Sequence, residues 1–255
     1  MIKKRLRTNY FLIWFPYLLP FLIWELLHYL RPFASTQLFP SIFDILRSGW
    51  QLLVDGTISQ SISASFLRVC AGFFLGSFLG LLLGIVMALF RRADQFLRPL
   101  VAFIMPVPAI AWIPLLIIWF GIQSWIPIVV IVICSLFPVA YSTRSGILSV
   151  NQEYIDAARI DGAGTCSILR RILLPLAAPQ IMTGVRIEAG MAWKVVIAAE
   201  MLIVHSGLGS LMMTAESLVR TDVVVLCILC ICILCQLFEL LIHFFEKKLL
   251  LKLGV

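Results

Sequence analysis

Four ionisable side chains, Arg186, Glu188, Lys194 and Glu200, interrupt an otherwise apolar run from Pro179 to Val204. Charges at membrane depth cost at least about 2.5–3.5 kcal/mol each on insertion scales, so such groups face a partner or water. At about 100° per residue, Arg186, Lys194 and Glu200 fall on one broad face of a helix and Glu188 points away. Two kinds of chemistry fit this pattern. One is a polar stripe lining a pathway, with Lys194 available to an anion; the other is interhelical pairing that only holds a bundle together. Cys227, Cys230, Cys232 and Cys235 suggest a metal cluster. On one helix, however, Cys230 and Cys232 point nearly opposite ways, so the four cannot converge on a tetrahedral ion. They read as small packing residues. His28, His205 and His243 lie in separate segments, and no paired histidine or clustered nucleophile argues for a membrane enzyme.

The elements that must position these groups are set by composition. Of 255 residues, 62% are hydrophobic and only 13% charged, and the mean hydropathy is +1.04. Soluble domains are nearer 45–50% apolar, which excludes a soluble enzyme and a disordered chain. Runs long enough to cross a bilayer predict six spans: Tyr10 to Leu27, Ile62 to Phe90, Pro99 to Phe120, Trp125 to Leu148, Pro179 to Val204 and Val223 to Phe245. The first is read as retained, because no small-x-small cleavage site follows it. With the N-terminus inside, thirteen Lys and Arg fall on the cytoplasmic side and only Arg31, Arg47 and Arg220 on the other. That asymmetry follows the positive-inside rule. It also accounts for the net charge of +7 without a nucleic-acid partner.

The predicted fold is therefore an all-α integral membrane protein with six transmembrane helices and cytoplasmic N- and C-termini. Residues 1–60 form an N-terminal span and a short helix, 61–245 the core, and 246–255 a cytoplasmic tail. Ser41 is placed to cap the short helix, which carries Ile42, Ile45, Leu46 and Leu53. In the second span, Gly72, Gly76, Gly80 and Gly84 recur every fourth residue. Such a stripe lets another backbone approach closely. Pro106, Pro108 and Pro114 in the third span break helix hydrogen bonds. Broken helices at membrane depth tend to line substrate paths, which makes Pro106 and Pro108 candidate path residues beside Arg186, Lys194 and Glu200.

The connection from Asn151 to Leu174, between the fourth and fifth spans, is the longest on the cytoplasmic side. Glu153 to Asp161 has acidic residues early and Ile155 and Ala158 on one side, which predicts a short helix. Gly162 and Gly164 end it. Thr165 is placed to cap a second helix through Leu173, and Pro175 to stop that one. Asp156-Ala157-Ala158, three residues, Gly162, nine residues, Ile172, one residue and Leu174-Pro175 resemble the "EAA" signature of ABC importer permeases, EAA-x3-G-x9-I-x-L-P. Asp156 stands where that family usually has Glu. The segments Pro108 to Gly121, Gly184 to Met201 and Gly207 to Gly209 look like the nitrate/sulfonate/taurine branch, and the likeness covers roughly Ser61 to Phe245.

The resemblance implies that the 151–175 loop, through Asp156, Ala157, Ala158, Gly162, Ile172, Leu174 and Pro175, couples to a separate ATP-binding cassette ATPase. It implies a second permease chain, identical to this one, an external substrate-binding protein, and a place in the bacterial inner membrane. ATP and Mg would belong to the partner, since this chain has no Gly-Lys pair and hence no phosphate-binding P-loop. The branch implies a small anion (sulfonate, nitrate, taurine or bicarbonate), although its relatives are also associated with vitamin or precursor uptake. A secondary transporter or channel needing no ATPase is the alternative.

Overall fold

A glycine stripe can bring two helices into backbone contact only if the facing helix offers small residues or grooves at the same rise. A computed structural model describes residues 38–253, together with 19, 22–26 and 29, and shows that arrangement. The helices in chain order are α1 (Ile42–Val54), α2 (Thr57–Leu89), α3 (Arg91–Ile104), α4 (Ala109–Phe120), α5 (Ile126–Leu148), α6 (Gln152–Ile160), α7 (Thr165–Ile168), α8 (Leu174–Ile203), α9 (Leu208–Ser217) and α10 (Thr221–Leu253). A π-helical turn, Leu169–Leu173, joins α7 to α8. Among the described residues every regular element is a helix.

The four stripe glycines of α2 are buried against α5. A Cβ on Gly72 would meet Ile131, one on Gly76 would meet Ser135 and Val132, and one on Gly84 would lie 2.6 Å from Thr143 Cβ. The third helix of the packed centre is α8, where a Cβ on Gly184 would lie 2.5 Å from Ser142 Cβ of α5. Ser142 Oγ donates to the Gln180 carbonyl at 2.7 Å across this contact. Side chains complete the core. Phe73 of α2, Trp193 of α8 and Phe238 of α10 meet edge to face, with Phe73 and Phe238 centroids 5.2 Å apart. Without a hydrophobic gain between helices in lipid, this close packing is what holds them.

Four helices are long and apolar enough to cross a membrane (57–89, 126–148, 165–203 and 221–253), or five counting the bent α3–α4 pair as one span. Of the expected span Tyr10 to Leu27, only residues 19 and 22–26 are described; the rest lies outside the described residues. Three expectations are corrected. The stretch from Pro99 to Phe120 is not one straight helix: α3 starts earlier, at Arg91, and α3 and α4 meet at 99° around Met105–Pro108. Pro106 and Pro108 cannot donate to a continuing helix, and Pro108 pushes the preceding residue toward extended geometry. Pro114, by contrast, is accommodated within α4.

The second correction is at Thr165, which is the first residue of its helix; Gly164 takes the N-cap position. The third is Pro175, which does not stop a helix. Instead the chain widens into the π turn just before it, where the Leu174 N–H reaches back to the Leu169 carbonyl, and α8 continues to Ile203. The wider turn makes room for the proline ring. Loop and span are thus one helical body from Thr165 to Ile203.

The α1 helix begins with the expected cap: Ser41 Oγ accepts from the Asp44 N–H at 3.1 Å, and the Asp44 side chain returns to Ser41 N. This capping box satisfies donors that would otherwise be orphaned. Ile45 and Ser48 are buried, while Phe43, Leu46, Trp50 and Val54 stay exposed. A helix apolar on its outer side suits the membrane interface.

Candidate functional site

The 151–164 segment folds as a capped unit. Asn151 accepts the Glu153 N–H at 3.1 Å to open α6. At its end, Ala163 N–H bonds to Ala158 O at 2.9 Å and Gly162 N–H to Arg159 O at 3.0 Å, the paired bonds of a Schellman turn. Gly162 sits at φ +81°, a left-handed conformation that side chains disfavour. One face of α6 is tied down: Ile155 and Ala158 pack on Ile168, Leu173 and Ile147, alongside Leu89 at the end of α2. The other face is open. Asp156 and Ala157 are exposed, as is Tyr154, and Ile160 is 87% exposed. Asp156 accepts from Gln152 at 3.2 Å. Ile172 is half-buried in the π turn. Leu174 and Pro175 line a groove shared with Phe78 of α2 and with Leu249 and Leu253 of α10, so the end of α10 lies beside the start of α8.

The charged residues of α8 do not meet in one stripe. Arg186 faces α10, where it pairs with Glu246 at 3.3 Å beside His243. Lys194 is exposed and approaches Met191 Sδ at 3.9 Å. Glu200 is wholly buried and belongs to a network with α2. Arg68 Nη1 donates to it at 2.6 Å, Ser65 Oγ donates to it at 2.7 Å, and the Gly209 N–H donates at 3.1 Å. Ser65 Oγ also accepts the Leu208 N–H at 2.8 Å, and Arg68 reaches Ser206 O at 2.9 Å. One polar cluster therefore joins α2, the end of α8 and the start of α9. Glu188, expected to point away from the polar face, lines a cavity together with Pro106 and Pro108.

Sequence reasoning missed Ser65 and Arg68. The available signal was a lone arginine inside an apolar span, which demands a partner, but nothing local to residue 68 names residue 200. It also missed the bidentate pairing of Arg144 on α5 with Asp94 on α3, which fixes α3 to the core. Of the cysteines, Cys227 is buried beside Ala215 and Val223, whereas Cys232 is exposed, so they occupy different faces of α10.

Residues 76–251, from within the glycine stripe to near the end of α10, match the family described as the binding-protein-dependent transport system inner membrane component. The chain belongs to that family. Its relatives include the taurine transport system permease protein TauC of Escherichia coli, 36% identical over 202 residues, which span 79% of this permease and 74% of TauC. SsuC of Escherichia coli, named for the transport of aliphatic sulfonates, is 36% identical over 195 residues, 76% of this chain and 74% of SsuC. A solved bacterial ABC transporter involved in importing the acidic polysaccharide alginate has a chain with a TM-score of 0.65 and 17% identity. The match covers 94% of this permease and 96% of that chain, and it shows a shared fold. The matched stretch includes the 151–164 loop and leaves α1 outside.

Proposed function

We propose that this permease forms half of the membrane path of an ATP-driven importer and that α6 is where a separate ATPase engages it. The observation that carries the reading is the continuity of the loop with the core. A capped helix with an exposed face, including Tyr154 and Ile160, is packed through Ile155 and Ala158 onto Ile168 and Leu173. Those residues open the helical body that runs without a stop to Ile203. Exposed apolar side chains on a water-facing helix mark a docking surface. A push on α6 reaches the middle of the bundle through a rigid rod, and packed helices answer by switching between discrete arrangements.

The cytoplasmic placement of this end is supported by its charges. Arg159 and Arg170 lie at the loop, and Lys247, Lys248 and Lys252 lie on the part of α10 that approaches it. The positive-inside rule puts such a cluster in the cytoplasm. This orientation implies six spans, the first within residues 10–27, with both termini inside a bacterial plasma membrane. A second copy of the chain completes the path, and an external binding protein delivers the substrate on the side of Arg47 and Arg220. The names of TauC and SsuC support a small sulfonate-bearing anion as substrate.

Substituting Gly162 by leucine tests the coupling. No heavy atom lies within 4 Å of a Cβ at this position, so the added Cβ meets no neighbour. Its cost is the left-handed backbone, on the order of 1 kcal/mol, borne at the turn that aims α6. Uptake by the complete importer in liposomes should fall by about tenfold or more, an effect of about 1.4 kcal/mol or more. The amount inserted and the melting temperature should stay close to wild type. Undiminished uptake would remove the loop from the mechanism, and uptake by the purified chain with no ATPase present would sink the importer reading itself.

A further inference from the structure

Three acidic side chains are buried in the described structure: Glu188, Glu200 and Glu246. Two have partners. Glu200 is held by Arg68, Ser65 and the Gly209 N–H, and Glu246 by Arg186 and His243. Glu188, 6% exposed, has no hydrogen bond and no ion pair among the described residues. Glu188 lines a cavity of about 240 Å³ between the α3–α4 break, α5 and α8, together with Pro106, Pro108, Trp112, Cys134 and Phe137. A buried polar group without a partner bears a desolvation cost that a hydrogen-bonded one recovers, and a buried charge bears more. The walls around Glu188 offer aromatic, proline and aliphatic surface and no basic side chain.

We infer that this cavity is a substrate subsite and that Glu188 receives a protonated nitrogen there. A cationic nitrogen brings both things the site lacks, a positive charge and several N–H donors, and the half-buried Trp112, an aromatic side chain that can attract a cation, lines the same cavity. A divalent metal does not fit, because such ions take several oxygen ligands and a single carboxylate is present. A water molecule would satisfy a hydrogen bond but would not stabilise the ionised carboxylate, which a cation does.

The location also suits a substrate. Glu188 is the middle residue of the 30-residue α8. Transporters bind at that depth, beside broken helices, and the α3–α4 break forms one wall. The inference rests on the permease reading and narrows its substrate class from small sulfonate-bearing anions to zwitterions, an amine at one end and a sulfonate at the other. Plain sulfonates and inorganic anions have nothing to offer Glu188.

The test uses the complete importer in liposomes, with E188Q as the uncharged variant of equal size and E188D as the charge-keeping one. The probes are 2-aminoethanesulfonate, its hydroxyl analogue 2-hydroxyethanesulfonate, and ethylammonium. The expected result is a wild-type preference for the amino over the hydroxyl sulfonate of about tenfold or more. E188Q should abolish that preference while still inserting, and E188D should keep part of it. Sulfonate uptake with the same preference in wild type and E188Q, or with no preference in wild type, would overturn the assignment and leave the permease reading standing.

If the wild type takes up neither sulfonate, it is the sulfonate reading that fails, and the cavity is then read directly. Fluorescence of the purified full chain is titrated with ethylammonium, with W112F as the blank that isolates Trp112. A response present in wild type and lost in E188Q upholds the subsite. An equal response in both, or none in either, overturns it.

Discussion

Arg68→Met is expected to destabilise the protein by about 3–5 kcal/mol, the usual cost of leaving one member of a buried pair behind. Glu200 has no exposure to solvent, and Arg68 is its only cationic partner among the described residues. The remaining donors, Ser65 Oγ and the Gly209 N–H, supply hydrogen bonds but no charge. The loss would spread beyond the pair, because the same arginine holds Ser206 through both its carbonyl and its hydroxyl. Next to it, Gly207 takes φ +107°, and a Cβ there would run into the Glu200 carboxylate.

The double variant R68M/E200Q removes the stranded charge and should regain most of the stability lost by R68M alone. Thermal melting of detergent-purified protein reads both. If R68M melts like wild type, or if E200Q adds its own full loss to that of R68M, the network does not work as a coupled pair.

Gly80→Leu is expected to cost about 3 kcal/mol or more and to prevent recovery of a monodisperse protein. Insertions into a packed core cost about 1–3 kcal/mol where side chains can give way. Here the obstacle is backbone: a Cβ would lie 2.5 Å from the Leu136 carbonyl oxygen and 3.0 Å from Val139 Cβ. Neither can swing aside, so α2 and α5 must separate, and lipid exacts no hydrophobic penalty to drive them together again. Gly164→Ala is the control. Its φ is −71°, and no atom lies within 4 Å of the added Cβ. Size-exclusion profiles and melting curves should show G80L collapsed and G164A near wild type; two equal profiles would mean the stripe is not a contact surface.

Much of this molecule was legible from local sequence. The period of Gly72, Gly76, Gly80 and Gly84 already described a surface for close approach, and that surface is the α2–α5 contact. The Ser41–Asp44 pair at the start of α1 and Gly162 at the end of α6 did what their types and places implied. These features depend on neighbours within one helical turn, and a linear reading contains those neighbours.

The prolines were only half legible. A proline says that a hydrogen bond is missing and leaves open how the chain responds. At Pro106 and Pro108 it turned by 99°, whereas before Pro175 a π turn absorbed the disturbance. The difference turns the expected loop-then-span into a single rod, and it decides how a stroke at α6 would travel.

By itself the sequence determined that lipid is the solvent, that the elements are helices, and that α2 carries a surface for close approach. Apolar fraction, periodicity and capping chemistry are properties of short stretches. Tertiary structure alone decided the fate of the charges. Arg68 and Glu200 lie 132 residues apart and meet at 2.6 Å, while Glu188, two residues from Arg186, faces a different neighbour and is left unpaired. A helical wheel fixes the direction of a side chain relative to its own axis. What stands in that direction depends on where the other helices pack, and that is set by contacts far apart along the chain.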